Sequence, residues 1–367
     1  MKIAMLGTRG IPGSHGGFET CVEQLSTRLV ERGHEVTVYC RPHMIDFEGS
    51  EYKGVRLIKI PTVASKHLDT FVHTGLCTFH LVTKGRCDVV LYFVAGNSPF
   101  CFLPRLIRIP TAINVDGMDS KRAKWNRAAK VYLRFAEWLA PHAASETIAD
   151  SRFIQQYYKE HFKAESVYIP YGAVMEPAPG TEWLDKFGLK QRDYVLFVGR
   201  LVPENWAHVL IEAYRGLETG KKLVIVGDAP YADEYVKKLK FEAAHNVVFT
   251  GYLFGEGYRQ LSQNAYVAVA PSIAGGTHPV IVESMAAGNC VVVSDHPPNL
   301  EVIGEVGVSF SRARGAADLR AKLQMLLEDS DMVAGYREKA RRRAAEHYSW
   351  DAVTDEYENL CRRLAGK

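Results

Sequence analysis

Short apolar, β-branched runs recur along the chain between longer stretches whose apolar residues return every three or four positions. That rhythm predicts strands alternating with amphipathic helices. KIAMLG (2–7) reads as a buried strand, TRGIPGSHGG (8–17) as a loop, and 18–32 as a helix closed by Gly33. EVTVYC (35–40), VRLIKI (55–60), DVVLYFV (88–94), TAINV (111–115) and ETIADS (146–151) continue as strands, and 167–170 ends the series. Most are separated by helix-length segments, the pattern of a parallel, doubly wound sheet. A Pro-, Gly- and Glu-rich stretch around 175–182 has the composition of a connector. A second series follows in YVLFVGR (194–200), KLVIVGD (222–228), VVFTG (247–251), YVAVA (266–270) and CVVVS (290–294). The expectation is an α/β chain that uses one doubly wound, Rossmann-like architecture twice, over 1–172 and 191–348, with a linker at 173–190 and a helical tail at 349–367.

The 367 residues suffice for two ordinary cores. Lys plus Arg (45) against Asp plus Glu (42) leaves +3, so overall charge gives no argument for a nucleic-acid partner. The seven Cys form no CxxC pair, which suits reduced structural thiols in a cytoplasm rather than zinc or disulfide frameworks. Met1 leads straight into a strand and no run of about 18 apolar residues occurs, so neither a signal peptide nor a membrane span is expected.

Candidate chemistry gathers in loops. In APSIAGGTHPVIVESMAAGNCVVVS (270–294) a strand breaks into glycines, then a helix, then a strand. Gly275, Gly276 and Thr277 permit close backbone approach before a helix N-terminus, where free N–H groups and the dipole favour an anion. Glu283, one turn in, would repel phosphate; it reads either as a ligand for ribose or hexose hydroxyls or as a helix-surface glutamate. The first loop fails the dinucleotide test: its glycines at 7, 10 and 13 miss the G-x-G-x-x-G spacing, and the second strand ends in Cys40-Arg41, without an acidic ribose ligand. Gly16-Gly17 precede a helix and read as a phosphate or sugar loop, or as a simple chain reversal. Arg200 follows Gly199 beyond a strand end, where ligands gather in open α/β sheets; it can grip a diphosphate in bidentate fashion, or pair with Glu204.

These stretches resemble the retaining, nucleotide-sugar-dependent glycosyltransferases of the large family 4 type, with the two-domain GT-B fold. MKIAMLGTRGIPGSHGGFET, VGRLVPEN, VGDAP, ESMAAGNCVVVSD and HYSWDAVTDEY are similar to that family's signatures, in order, over nearly the whole chain. Opening and cradle look most like bacterial rhamnosyltransferase-type members that build cell-surface polysaccharide. The resemblance implies a nucleotide-diphosphate sugar (dTDP-rhamnose, a UDP-sugar or a GDP-sugar) as donor substrate, with no cofactor. It implies Arg200 as diphosphate ligand, Gly16 and Gly17 as amino-terminal phosphate loop, and Glu283 as ribose ligand. Gly276, Thr277, His278, Pro279 and Val280 would hold sugar hydroxyls and phosphate. Two positions depart from the commoner pattern: Asn205 stands where a lysine is usual, and Gly275 where a glutamate is usual. These read as specialisation for a deoxy donor with fewer hydroxyls. The final helix is expected to pack back on the first domain.

Asp228 in VGDAP and the backbone of Tyr252 and Leu253 are placed to read the base, Asp228 alternatively being a turn residue before Pro230. Asp116 ends a strand of the first domain and would orient an acceptor hydroxyl or donor sugar; no enzymic base is required if the departing phosphate takes the acceptor proton. His73, the weaker catalytic candidate, is either such a group or a packed core histidine. Asp329-Ser330-Asp331 has the form of a metal pair, but N-capping of the next helix explains it better, so no metal is expected. Lys121, Arg122, Lys124, Trp125, Arg127, Lys130 and Arg134 on a predicted helix continuing to Trp138 suit an anionic membrane surface, or a solvated face with Trp packed inward. The resemblance implies a glycan or lipid-linked acceptor; a lipid-linked one favours the first option, and with it a peripheral place on the inner membrane face. The rivals are a nucleotide-sugar epimerase and a catalytically silent nucleotide-sugar-binding protein.

Overall fold

The computed structural model describes all residues except 14–15, 64–67, 122–124 and 230–232. Arg122, Lys124 and Pro230 therefore lie outside the described residues. The chain divides into two compact units, Met1–Gly172 with Gly275–Thr277 and Trp350–Lys367, and Ala173–Ala274 with His278–Ser349.

The first unit runs β1 (Lys2–Leu6), α1 (Gly17–Glu31), β2 (Glu35–Cys40), β3 (Glu51–Tyr52), β4 (Val55–Lys59), α2 (Asp69–Lys84), β5 (Val89–Phe93), α3 (Phe102–Leu106), β6 (Thr111–Asn114), α4 (Arg127–Ala143), β7 (Glu146–Ala149), α5 (Arg152–Phe162) and β8 (Val167–Tyr168). Its eight strands lie in the order β3-β4-β2-β1-β5-β6-β7-β8, parallel throughout except for the antiparallel β3–β4 pair. That hairpin edge was not foreseen, because a two-residue strand carries no periodic signal. Side chains alternate across the sheet as the pleat requires. Ile3, Met5, Val89 and Leu91 enter one apolar layer, Ala4, Leu6, Val90 and Tyr92 the other. The predicted basic helix is shorter than expected: α4 starts at Arg127, where the Asn126 side chain accepts from the Ala129 N–H (2.9 Å) and caps it.

The second unit runs α6 (Glu182–Lys186), β9 (Tyr194–Val198), α7 (Ala207–Arg215), β10 (Lys222–Val226), α8 (Asp233–Glu242), β11 (Val247–Gly251), α9 (Gly255–Asn264), β12 (Val267–Ala270), α10 (Pro279–Ala286), β13 (Cys290–Ser294), α11 (Pro297–Ile303), β14 (Val308–Phe310), α12 (Gly315–Glu328) and α13 (Ser330–His347). Its parallel sheet has the order β11-β10-β9-β12-β13-β14. Residues 173–190, whose composition suggests a connector, carry α6 and pack within this unit: Ala178 and Trp183 donate backbone N–H bonds to the side chains of Gln263 and Gln260 on α9, each 3.1 Å. Asp329 caps α13 by accepting from the Met332 N–H (2.8 Å), as its pattern predicted.

The final helix, α14 (Trp350–Ala365), is part of the first unit, where Trp350, Val353, Tyr357 and Leu360 enter the core beside α1. Arg32, at the end of α1, donates to Asp355 (2.7 Å) and Glu358 (3.0 Å) on α14.

Candidate active site

In the second unit the loops beyond β9, β10 and β12 are tied to one another. Gly199 donates its N–H to the Val226 carbonyl (3.0 Å) and Leu201 to that of Asp228 (3.2 Å). A Cβ on Gly227 would overlap the carbonyl oxygen of Gly199, and its φ of +142° is one that side-chain-bearing residues avoid, so only glycine lets these two loops approach. Asn205 donates its side-chain amide to the Arg200 carbonyl (2.9 Å) and accepts from the Ser272 hydroxyl (3.0 Å). Ser272 is in turn anchored from β13 and α11, its carbonyl accepting from Ser294 Oγ (2.5 Å) and Asn299 Nδ2 (3.0 Å). Asn205 is thus a neutral brace between loops, donating to one and accepting from the other. Arg200 stands exposed on the loop so braced.

Pro279 occupies the first turn of α10, where its missing N–H costs nothing, and Val280 follows it. Glu283 is not surface decoration. It is half-buried, and Tyr258 Oη donates to its Oε2 at 2.5 Å. Burial raises its pKa, with the Tyr258 hydrogen bond opposing that shift. At the end of β11, Tyr252 and Phe254 form an exposed stacked pair (5.8 Å between centroids, 18° between planes), while Leu253 is packed inward. Asp228 is half-buried, and its side chain accepts from the next N–H, that of Ala229, at 2.8 Å, a contact that suits the turn reading.

In the first unit the loop after β1 is braced by two acids from α1. Glu19 accepts the Arg9 N–H (3.1 Å) and Glu23 the Gly13 N–H (2.8 Å). Glu19 is 9% exposed, and its carboxylate lies against Gly16 on the side where a Cβ would project. Arg9 offers the opposite charge, its Nη1 3.8 Å from the same point. Gly17 begins α1.

Beyond β6, Asp116 sits at φ +54°, a left-handed conformation uncommon for a residue with a side chain. Asn114 supports it, accepting the Asp116 N–H (3.1 Å) while donating to Tyr357 Oη on α14 (2.8 Å). Asp150, beyond the neighbouring strand β7, is fully buried. Its carboxylate accepts the Thr277 N–H (2.9 Å), and its carbonyl accepts from Thr277 Oγ1 (2.7 Å). Gly276 leaves room for that carboxylate. Gly275 has φ +110°, so the backbone itself takes a path that a glutamate at this position would resist.

His73 does not fit the catalytic reading. It has no exposed surface, its Nε2 lies 3.2 Å from the Cys40 carbonyl, and burial, with nearby Arg41, lowers its pKa to about 4. It is the packed core histidine of the alternative reading. Sequence reasoning missed Asp150, Tyr258, Phe254 and Tyr357. Only Asp150 had a local signal, as an acid just past a strand end. Among the described residues no three His, Cys, Asp or Glu side chains are grouped so as to hold a metal ion.

Comparison with known proteins adds the following. Residues 192–329 match the family described as glycosyl transferases group 1, and residues 1–174 a domain of unknown function, DUF1972. An uncharacterized glycosyltransferase of Methanocaldococcus jannaschii is 25% identical over 98% of this chain and 97% of its own length. A phosphatidyl-myo-inositol mannosyltransferase of Mycolicibacterium smegmatis is 26% identical over 96% and 91%. Anabaena HepE, solved in complex with UDP and glucose, superposes with a TM-score of 0.79 at 19% identity, over 98% of this chain and 99% of that one. That likeness establishes the GT-B fold, with its two Rossmann-like parallel-sheet domains.

Proposed function

We propose that this chain, whose residues 192–329 match the group 1 glycosyl transferases, is a retaining, metal-independent enzyme that transfers a sugar from a nucleotide-diphosphate sugar to a glycan or lipid-linked acceptor in cell-surface polysaccharide synthesis. The observation that carries the reading is the exposed Arg200 on a loop held by Asn205 and Ser272, in the same unit as the Tyr258-bonded Glu283. A guanidinium carried on a braced loop offsets charge growing on a departing diphosphate with little movement of its backbone. Gly199 and the His278–Val280 segment bring backbone close to the donor, and Glu283 accepts from ribose hydroxyls. The backbone of Tyr252 and Leu253 meets the base, with the Tyr252 and Phe254 rings offering an aromatic surface beside it. In the first unit Asp116 orients the acceptor hydroxyl. The bond from the anomeric carbon to the diphosphate oxygen breaks as the bond to the acceptor oxygen forms, and the acceptor proton passes to the departing phosphate.

The UDP complex of HepE supports a nucleotide-sugar donor, and the phosphatidyl-myo-inositol mannosyltransferase supports a lipid-linked acceptor. The glycine-only conformation at 275 supports a donor recognised through fewer hydroxyls, such as dTDP-rhamnose. A panel of dTDP-rhamnose, UDP-sugars and GDP-sugars, assayed for hydrolysis and transfer with and without EDTA, tests the proposal. Turnover of one donor, undiminished by EDTA, is expected. Nucleotide binding with no turnover of any donor would instead make the chain a silent binding protein, and conversion of the donor without acceptor would make it an epimerase.

A further inference from the structure

The outward faces of three neighbouring helices in the first unit are apolar. On α4, Val131 (71% exposed), Phe135 (49%) and Trp138 (45%) form a stripe at helical spacing on the side opposite Leu133, Ala136 and Ala140, which are buried. Trp138 is therefore not packed inward. The short α3 presents Phe102, Leu103 and Leu106, with Ile107 just beyond, all exposed. On α2, Leu76 and Phe79 (65% exposed) face outward while Cys77 and Leu81 are buried. The helices are adjacent: Phe71 of α2 lies 4.7 Å from Phe100 and 5.7 Å from Tyr132 of α4, centroid to centroid, and Arg105 of α3 donates to the carbonyls of His142 (3.1 Å) and Ala143 (2.9 Å) at the end of α4. An exposed apolar surface spread over three helices marks an interaction site rather than ordinary scatter.

Charge identifies what covers it. Residues 70–145 contain ten Lys or Arg against four Asp or Glu, one of them the buried Glu137, so a chain of net +3 is net acidic outside this segment. Among them Lys84, Arg86, Arg108, Arg127 and Arg134 are exposed. A second copy of the chain on this face would set like charge against like charge, whereas anionic headgroups would complement it while acyl chains received the aromatic and aliphatic tips. No helix among the described residues is long and apolar enough to cross a membrane. We propose that α2, α3 and α4 form a monotopic docking face for an anionic lipid leaflet, with Leu106, Phe135 and Trp138 entering the interface and the surrounding cations binding headgroups. This deepens the transferase reading by naming the surface from which a lipid-linked acceptor would be met, yet lipid binding is measured without turnover, so either can fail alone.

The test is flotation of the full chain with phosphatidylglycerol-containing and pure phosphatidylcholine vesicles. Binding to the anionic vesicles, weakened by salt and absent from the neutral ones, is expected. The double variant L106E/F135E, on exposed positions and checked for an unchanged melting temperature, should lower partitioning at least about tenfold, and R127E/K130E by roughly fivefold per cation removed. Quenching of tryptophan fluorescence by brominated lipid should fall in Trp138→Phe. Absence of flotation on both vesicles, binding indifferent to these substitutions, or a lipid-free dimer in sedimentation that L106E/F135E dissolves would overturn the proposal.

Discussion

The loop after β1 and the loop after β12 are both glycine-rich leads into a helix, and their opening turns are braced differently. The first is held by carboxylates: Glu19 and Glu23 take up the backbone N–H groups of Arg9 and Gly13. In the second the braces are neutral where it meets the Arg200 loop, an amide from Asn205, hydroxyls from Ser272 and Ser294, and an amide from Asn299, and a carboxylate, that of Asp150, enters only at its far end, on the Thr277 N–H. A carboxylate beside Gly16 spends backbone donors and places negative charge where an anion would arrive. Amides and hydroxyls stiffen the Arg200 loop without adding charge, so on the proposed function its guanidinium would meet a diphosphate in a setting that these braces do not oppose. Glycine richness before a helix is therefore a poor guide to anion affinity until the bracing groups are known.

The largest effect is expected from Arg200→Ala, which should lower kcat/KM for the donor by about 10²–10³, the usual cost of removing one donor to a developing anion, with the melting temperature unchanged. A fall of less than about tenfold would shift weight to the first loop and break the comparison. Gly275→Glu, which restores the commoner carboxylate, should not restore a hexose donor. At φ +110° the new side chain costs about 1–2 kcal/mol in backbone strain, visible as a lower melting temperature with reduced turnover. Gain of a UDP- or GDP-hexose activity would show that the backbone can move.

Glu19→Gln sharpens the other half of the comparison, because it keeps an acceptor for the Arg9 N–H while removing the charge. If phosphate reaches Gly16 and Gly17, losing one like charge about 4 Å away should tighten the donor KM by roughly fivefold, or about 1 kcal/mol. An unchanged KM would leave these glycines with only the chain-reversal role.

The alternation of strands and helices, the two sheets and the cap at Asp329 were legible because each rests on local spacing. What knits the candidate site was not. Asp150 meets Thr277 from 127 positions away and Asn114 meets Tyr357 from 243, so no window along the chain contains either pair. Glu283 was visible as a carboxylate in a helix, but its character depends on Tyr258, which helical periodicity alone does not distinguish from any other half-buried aromatic. His73 shows the converse. Its place inside an apolar helical stretch was readable, and burial beside Cys40 and Cys77 then decided against chemistry.

Carboxylate bracing in the first unit also predicts where its acid sensitivity lies. Glu358 on α14 bonds to Arg362, His34 and Arg32. Burial pushes its pKa up, but these three hydrogen bonds outweigh that and draw it down to about 2, below an ordinary 4.5. For an acid so depressed, the stabilisation is complete above the unfolded value and is lost as pH falls from about 4.5 through about 2. Glu358→Gln should therefore lower stability at pH 7 by about 1 kcal/mol, a modest figure because the arginine partners are partly in water. The difference from the parent should shrink as the pH falls below about 4.5 and vanish near 2. Thermal melts of both proteins at pH 7, 4 and 2 measure this. A deficit that persists undiminished in acid would mean that Glu358 acts by packing rather than by charge, and that the helix returning to the first unit is held without the ionic bracing seen at its opening loop.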